Sequence, residues 1–97
     1  MKLTILDVYC LNALCDDYEN ITTIMADVSR AANTGVPFDE IERCLRRLEI
    51  EELVTAFEYD IQKTKYIPSS HFEGKIKEKW YFITEKGRQE LDSNWIE

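Results

Sequence analysis

Glycine and proline are scarce in this chain, three and two residues among 97. That scarcity excludes collagen-like repeats and a linker-rich, disordered composition. Long apolar runs are missing too, and none approaches the roughly twenty residues that a membrane-spanning helix needs. The start, Met1-Lys2-Leu3, lacks the basic region, apolar stretch and small-residue cleavage site of a secretory leader. The expected address is therefore the cytoplasm, with no membrane partner. Cysteine is limited to Cys10, Cys15 and Cys44. An odd number with no C-x-x-C pair makes neither a disulfide framework nor a zinc knuckle. The single histidine, His71, has only scattered partners, so no metal site is expected. The thiols read as small, reduced, buried side chains.

Catalytic patterns are equally thin. There is no Ser/His/Asp or Cys/His set in a recognisable local frame and no glycine-rich phosphate loop. Asp16-Asp17 and Glu51-Glu52 are adjacent pairs, which point apart on a helix instead of converging on one atom. The expectation is no enzyme, no cofactor and no catalytic residue.

Basic charge is in the minority. Twelve Lys and Arg stand against nineteen Asp and Glu, a net charge of −7. Such a balance favours solubility and works against nonspecific attraction to nucleic acid or anionic membrane. The distribution is uneven, however. Residues 61–79 hold Lys63, Lys65, Lys75, Lys77 and Lys79 against only Glu73 and Glu78.

What is present fits one domain spanning residues 1–97, with 44% hydrophobic residues and no dividing linker. A first helix is expected over about 3–18, where eleven of sixteen residues are apolar. That exceeds one core-facing stripe. Either the helix is central and covered on several sides, or part of it faces a second copy of the chain. A second helix over about 22–33 follows from the spacing of Ile21, Ile24, Met25, Val28, Ala31 and Ala32. Thr22 or Thr23 can cap it, and Asn33-Thr34-Gly35 can end it. A third helix, about 37–53, opens on Pro37 and the acids Asp39 and Glu40, which suit a first turn. Its buried stripe is Phe38, Ile41, Leu45 and Leu48, with Leu53 and Val54 closing it.

The period then changes to two. Phe57, Tyr59 and Ile61 alternate with Glu58 and Asp60 and predict a half-buried strand. A polar stretch, Gln62 to Glu78, leads to a second strand, Lys79 to Ile83. The two should pair as one long hairpin over about 54–84. Ile41, Leu45, Leu48, Trp80 and Phe82 are expected in one core. Thr84 can cap a last helix, about 85–95, with Leu91 and Trp95 turned inward.

The fold class expected is thus mainly α with a small β-hairpin, in the order helix, helix, helix, strand, strand, helix. Two stretches give it a family likeness. Ile41-x-x-x-Leu45-x-x-Leu48, running on to Leu53-Val54, resembles a recognition helix entering a first wing strand. Tyr81-Phe82-Ile83-Thr84-Glu85-Lys86-Gly87-Arg88-x-x-Leu91 is similar to the close of the wing in PadR-like and MarR-like transcriptional regulators. The resemblance to a winged helix-turn-helix domain covers nearly the whole chain. It implies a dimeric DNA-binding regulator whose third helix enters the major groove. Arg43, Arg46 and Arg47 would then face the groove, and Lys63, Lys65, Lys75 and Lys77 on the wing would contact phosphates. The resemblance also admits a winged-helix protein-interaction module without DNA binding, working through its acidic surface and broad apolar first helix. Each arginine has an acid one helical turn away: Asp39 for Arg43, Glu42 for Arg46, Glu51 for Arg47. A self-paired, solvated face therefore accounts for them equally well.

Overall fold

A computed structural model of the chain describes residues 2–69 and 79–94. Helix α1 (Ile5–Ala13) is followed by strand β1 (Glu19–Asn20), α2 (Ile21–Ala32), α3 (Phe38–Ile50), β2 (Val54–Asp60), β3 (Lys65–Ser69), β4 (Trp80–Ile83) and α4 (Glu85–Asn94). The four strands form one antiparallel sheet in the order β1-β4-β2-β3. The chain is α+β, with more sheet than a single hairpin supplies. None of the described helices is long and apolar enough to cross a membrane.

Helix α1 is shorter than the expected 3–18. It starts on a capping box, with Thr4 Oγ1 accepting from Asp7 N at 3.2 Å and Asp7 Oδ2 accepting from Thr4 N at 2.9 Å. It stops at Ala13, just before Asp16 and Asp17. Two carboxylates there would sit against the negative end of the helix dipole. The released chain forms β1, whose register pairs Glu19 with Tyr81 and Asn20 with Trp80. Asn20 then caps α2, its Oδ1 accepting from Thr23 N at 3.0 Å, so the cap lies upstream of the two threonines. Asn33 ends α2 in the left-handed region, φ 56°, as its sequence anticipates.

Pro37 stands just outside α3 as its extended N-cap. The helix ends at Ile50, earlier than 53, because Glu52 turns left-handed at φ 63° and Leu53 N donates back to Leu48 O at 2.8 Å. Thr84 fastens this end to the next element. Its Oγ1 donates to Glu52 O at 2.7 Å and accepts from Gly87 N at 2.9 Å, capping α4.

The sheet differs from the expected two-stranded hairpin. Strands β2 and β4 do pair, Val54 opposite Ile83 and Phe57 opposite Trp80. Part of the presumed loop, however, folds back as β3 on the other edge of β2, with Asp60 opposite Lys65 and Ala56 opposite Ser69. Pro68 marks β3 as an edge strand, where a missing N–H costs no ladder bond. That proline and the polar residues around it conceal the strand in the sequence.

Side-chain phase is a second correction. Val54, Ala56, Tyr81 and Ile83 are buried against the helices, whereas Trp80, Phe82 and Phe57 lie half-buried on the opposite face. A run of four apolar residues, Trp80 to Ile83, does not state which alternate pair turns inward, and a one-residue shift exchanges the faces. Ile61 sits at the hairpin tip, 82% exposed, and not within a half-buried strand. The core is otherwise as expected: Ile41, Leu45 and Leu48 are wholly buried, and Leu91 is buried in the same core. Trp95 lies outside the described residues.

Candidate nucleic-acid interface

The turn between α2 and α3 is held from inside. Ser29 Oγ accepts from Val36 N at 3.1 Å, and Ser29 O accepts from Thr34 N at 3.1 Å. This fixes the angle at which α3 leaves α2. One side of α3 carries Ile41, Cys44, Leu45 and Leu48 into the core, so the other side must face out. Arg43 and Arg46 lie on that exposed side.

Arg47 is different. Its guanidinium meets Asp7 Oδ1 across the α1–α3 contact, with the arginine side chain 44% exposed and the aspartate wholly buried. Cys44 donates its thiol proton to the same oxygen at 3.2 Å. The carboxylate therefore has a backbone donor, a thiol and a cation around it. The partner expected for Arg47 from helical spacing was Glu51. The tertiary partner wins because a buried carboxylate needs a cation far more than a solvated one does. Asp7 is the polar residue that the sequence reading overlooked. Its signal was the Thr4-x-x-Asp7 spacing of a capping box inside an otherwise apolar segment.

Arg43 and Arg47 are brought together at one shallow surface pocket, which Leu6, Glu40 and Cys44 also line. Cys44 opens onto it but is only 4% exposed. A hydrogen bond with Cys10, then burial, pushes its thiol pKa well above the ordinary value. Burial likewise raises Cys15. Both thiols are free of disulfide bonds. Asp39 and Glu40 are exposed at the start of α3, close to the same face.

The second group of candidate residues sits on the β2–β3 hairpin. Asp60 Oδ1 accepts from Gln62 N at 3.0 Å and Lys63 N at 3.1 Å, shaping the tip, and Thr64 completes it at φ 52°. Lys63 and Lys65 are exposed beside Ile61. Lys75 and Lys77 lie outside the described residues, as does His71. Lys79, part of the same basic stretch, is withdrawn from solvent altogether, with Nζ donating to Glu58 Oε1 at 2.9 Å and to Ser69 Oγ. Comparisons with protein-family models, curated proteins and solved structures return no match for this chain.

Proposed function

We propose that this chain is a cytoplasmic DNA-binding regulator of the winged helix-turn-helix type, with α3 as the recognition helix and the β2–β3 hairpin as the wing. The observation that carries the reading is the outward pair Arg43 and Arg46, exposed on a helix whose opposite side is anchored in the core. The three helices ahead of the β2–β4 pair and the helix after it support the reading, although the sheet has four strands and not the expected two. Arginine reads guanine and phosphate bidentately, and the lysines of the wing suit phosphate contact across the neighbouring minor groove. Lys63 and Lys65 supply that charge at the hairpin tip, and Lys75 and Lys77 extend it along the sequence. Arg47 also neutralises Asp7. No catalytic role, cofactor or metal belongs to this reading.

The proposal includes a homodimer through α1. That helix leaves Ile5 55% exposed with Leu6 and Tyr9 half-buried beside it. A twofold pair would present two recognition helices to successive turns of the duplex. Sedimentation at high micromolar concentration should show the dimer, and Ile5→Lys should dissociate it.

DNA binding is tested by fluorescence anisotropy on random duplex pools at low salt. Each phosphate contact releases counterions, so affinity should fall steeply with salt. Lys63→Ala should weaken binding on all sequences and flatten the salt slope by about one unit. Arg46→Ala should relax selectivity at one base position, and Glu40→Gln should tighten binding. No affinity, even in Glu40→Gln, would replace this reading with the interaction module. One observation favours that second reading specifically: the aromatic outer face of the sheet.

A further inference from the structure

Glu40, Arg43, Cys44 and Arg47 of α3 and Leu6 of α1 frame a surface pocket of about 450 Å³, within the range of small-molecule sites. Its lining is of two kinds. Leu6 is half-buried, and Cys44 already donates its thiol proton to Asp7 Oδ1 at 3.2 Å, so these two offer a ligand mainly apolar contact. The charged residues stand at i, i+3 and i+7 and follow one ridge of the helix over about 10 Å.

Two of those charges lack a counterpart. Arg43 makes no hydrogen bond or ion pair with any described residue, and its expected partner Asp39 does not engage it. The exposed Glu40 carboxylate is likewise unpartnered among the described residues. Arg47 meets Asp7 through one nitrogen, while its side chain stays 44% exposed. A guanidinium has further N–H donors to offer from that exposed part.

The balance of charge selects the ligand. Arg43 and Arg47 stand against Glu40 and the buried Asp7, so the pocket as a whole is neutral. A simple anion would gain Arg43 but meet Glu40. A simple cation would gain Glu40 but meet both arginines. A zwitterion satisfies each end. An α-amino acid carries its ammonium and carboxylate on one carbon, and helix positions three or four apart have Cβ atoms only about 5–6 Å apart. Glu40 can therefore hold the ammonium while Arg43, with Arg47 one turn on, holds the carboxylate, the anion that a guanidinium binds best.

We propose that this pocket binds a free α-amino acid with an apolar side chain, its carboxylate on Arg43 and Arg47, its ammonium on Glu40 and its side chain against Leu6 and Cys44. The inference does not rest on DNA binding and is tested without DNA. In the DNA-binding reading, the same ligand would occupy Arg43 and act as an effector that releases the duplex.

The test titrates the full, isotope-labelled chain with L-leucine and follows the amide chemical shifts. Saturable shifts centred on Leu6, Glu40, Arg43 and Cys44 are expected. Three probes each remove one group: isocaproate lacks the ammonium, isoamylamine the carboxylate, and glycine the apolar side chain. Each should bind about tenfold more weakly or worse, the worth of one charged contact or one apolar side chain. Arg43→Gln and Glu40→Gln, both exposed changes, should each weaken leucine binding about tenfold, with circular dichroism confirming the fold. Glu40→Gln should instead tighten isocaproate, which loses a repulsion and no contact. Lys63→Ala should leave leucine binding unchanged. No saturation by about 10 mM leucine, equal binding of leucine and isocaproate, or full binding in Arg43→Gln would overturn the proposal. So would saturable shifts centred away from the pocket.

Discussion

Replacing Gly87 with alanine probes a close contact between α4 and the segment that follows α3. A Cβ at that position would lie 2.2 Å from Leu53 O and 2.7 Å from Ile83 Cγ1. The first neighbour is backbone, and it is already engaged, because Leu53 O accepts from Thr84 N at 3.0 Å. It cannot rotate away as a side chain would. Helix α4 must therefore withdraw by about an ångström, and that opens the Thr84 clasp and loosens Leu91. Overpacking costs about 1–3 kcal/mol in ordinary cores, and a rigid backbone neighbour puts this site at the upper end. Better helix propensity returns up to about 1 kcal/mol. The expected net loss is about 2 kcal/mol, or roughly 10 °C in Tm for a domain of this size. Urea unfolding should show a lower midpoint with an unchanged slope. Gly35→Ala is the control, since a Cβ there meets nothing within 4 Å, and it should change stability by less than about 0.5 kcal/mol. If Gly87→Ala unfolds at the wild-type midpoint, the close approach of α4 to the end of α3 is not as described.

Three further outcomes are expected. Leu45→Ala, at a wholly buried site, should cost about 2–5 kcal/mol by urea unfolding, and a smaller loss would mean that the site is not in the core. Arg47→Met should destabilise by about 1–3 kcal/mol by leaving Asp7 uncompensated, yet cost much less in an Asp7→Asn background; equal costs in a double-mutant cycle would remove the ion pair from the account. Burial, with Glu49 and Glu42 behind it, holds the Tyr81 hydroxyl pKa far above the ordinary tyrosine value. The folded state therefore keeps a proton that the unfolded state loses above about pH 10, so the stabilisation is full below that pH and is lost as pH rises further. Absorbance at alkaline pH should show Tyr81 ionising last and together with unfolding, whereas early reversible ionisation of all five tyrosines would contradict its burial.

The helical half of the fold was legible because its signals are local and redundant. The stripe of α3, the Asn33 stop and the Thr84–Gly87 close each combine a spacing with a residue of special conformation. The sheet was less legible. Strand β1 is two residues long and exists only because β4 offers a partner. Strand β3 carries a proline with Lys65 and Ser69 at its ends, and only its place at the edge makes those tolerable. Among the candidate site residues, spacing placed Arg43, Arg46 and Arg47 on one outward face but could not rank them. The ion pair of Arg47 comes from Asp7, forty residues away in sequence. No intrahelical pattern contains that information.

The phase of β4 has the largest consequence for function. With Tyr81 and Ile83 inward, Trp80 and Phe82 must face out, and the sheet gains an aromatic surface that an inward Trp80 and Phe82 would have removed. Leaving such rings in water is costly, and mutual stacking recovers part of that cost. Tyr18 makes the stacking possible because it bridges Phe82, Phe57 and Tyr66 at once. It can reach them only because α1 ends at Ala13 instead of running through residue 18. The acids that oppose continuation of α1, Asp16 and Asp17, are followed directly by Tyr18. One short segment thus stops the helix, delivers the central ring and leaves Asp17 at the patch's edge. Asp17 thus stands exposed beside the central ring, while the exposed arginines and lysines lie on α3 and at the hairpin tip. The aromatic outer face follows from where α1 ends and which way β4 faces.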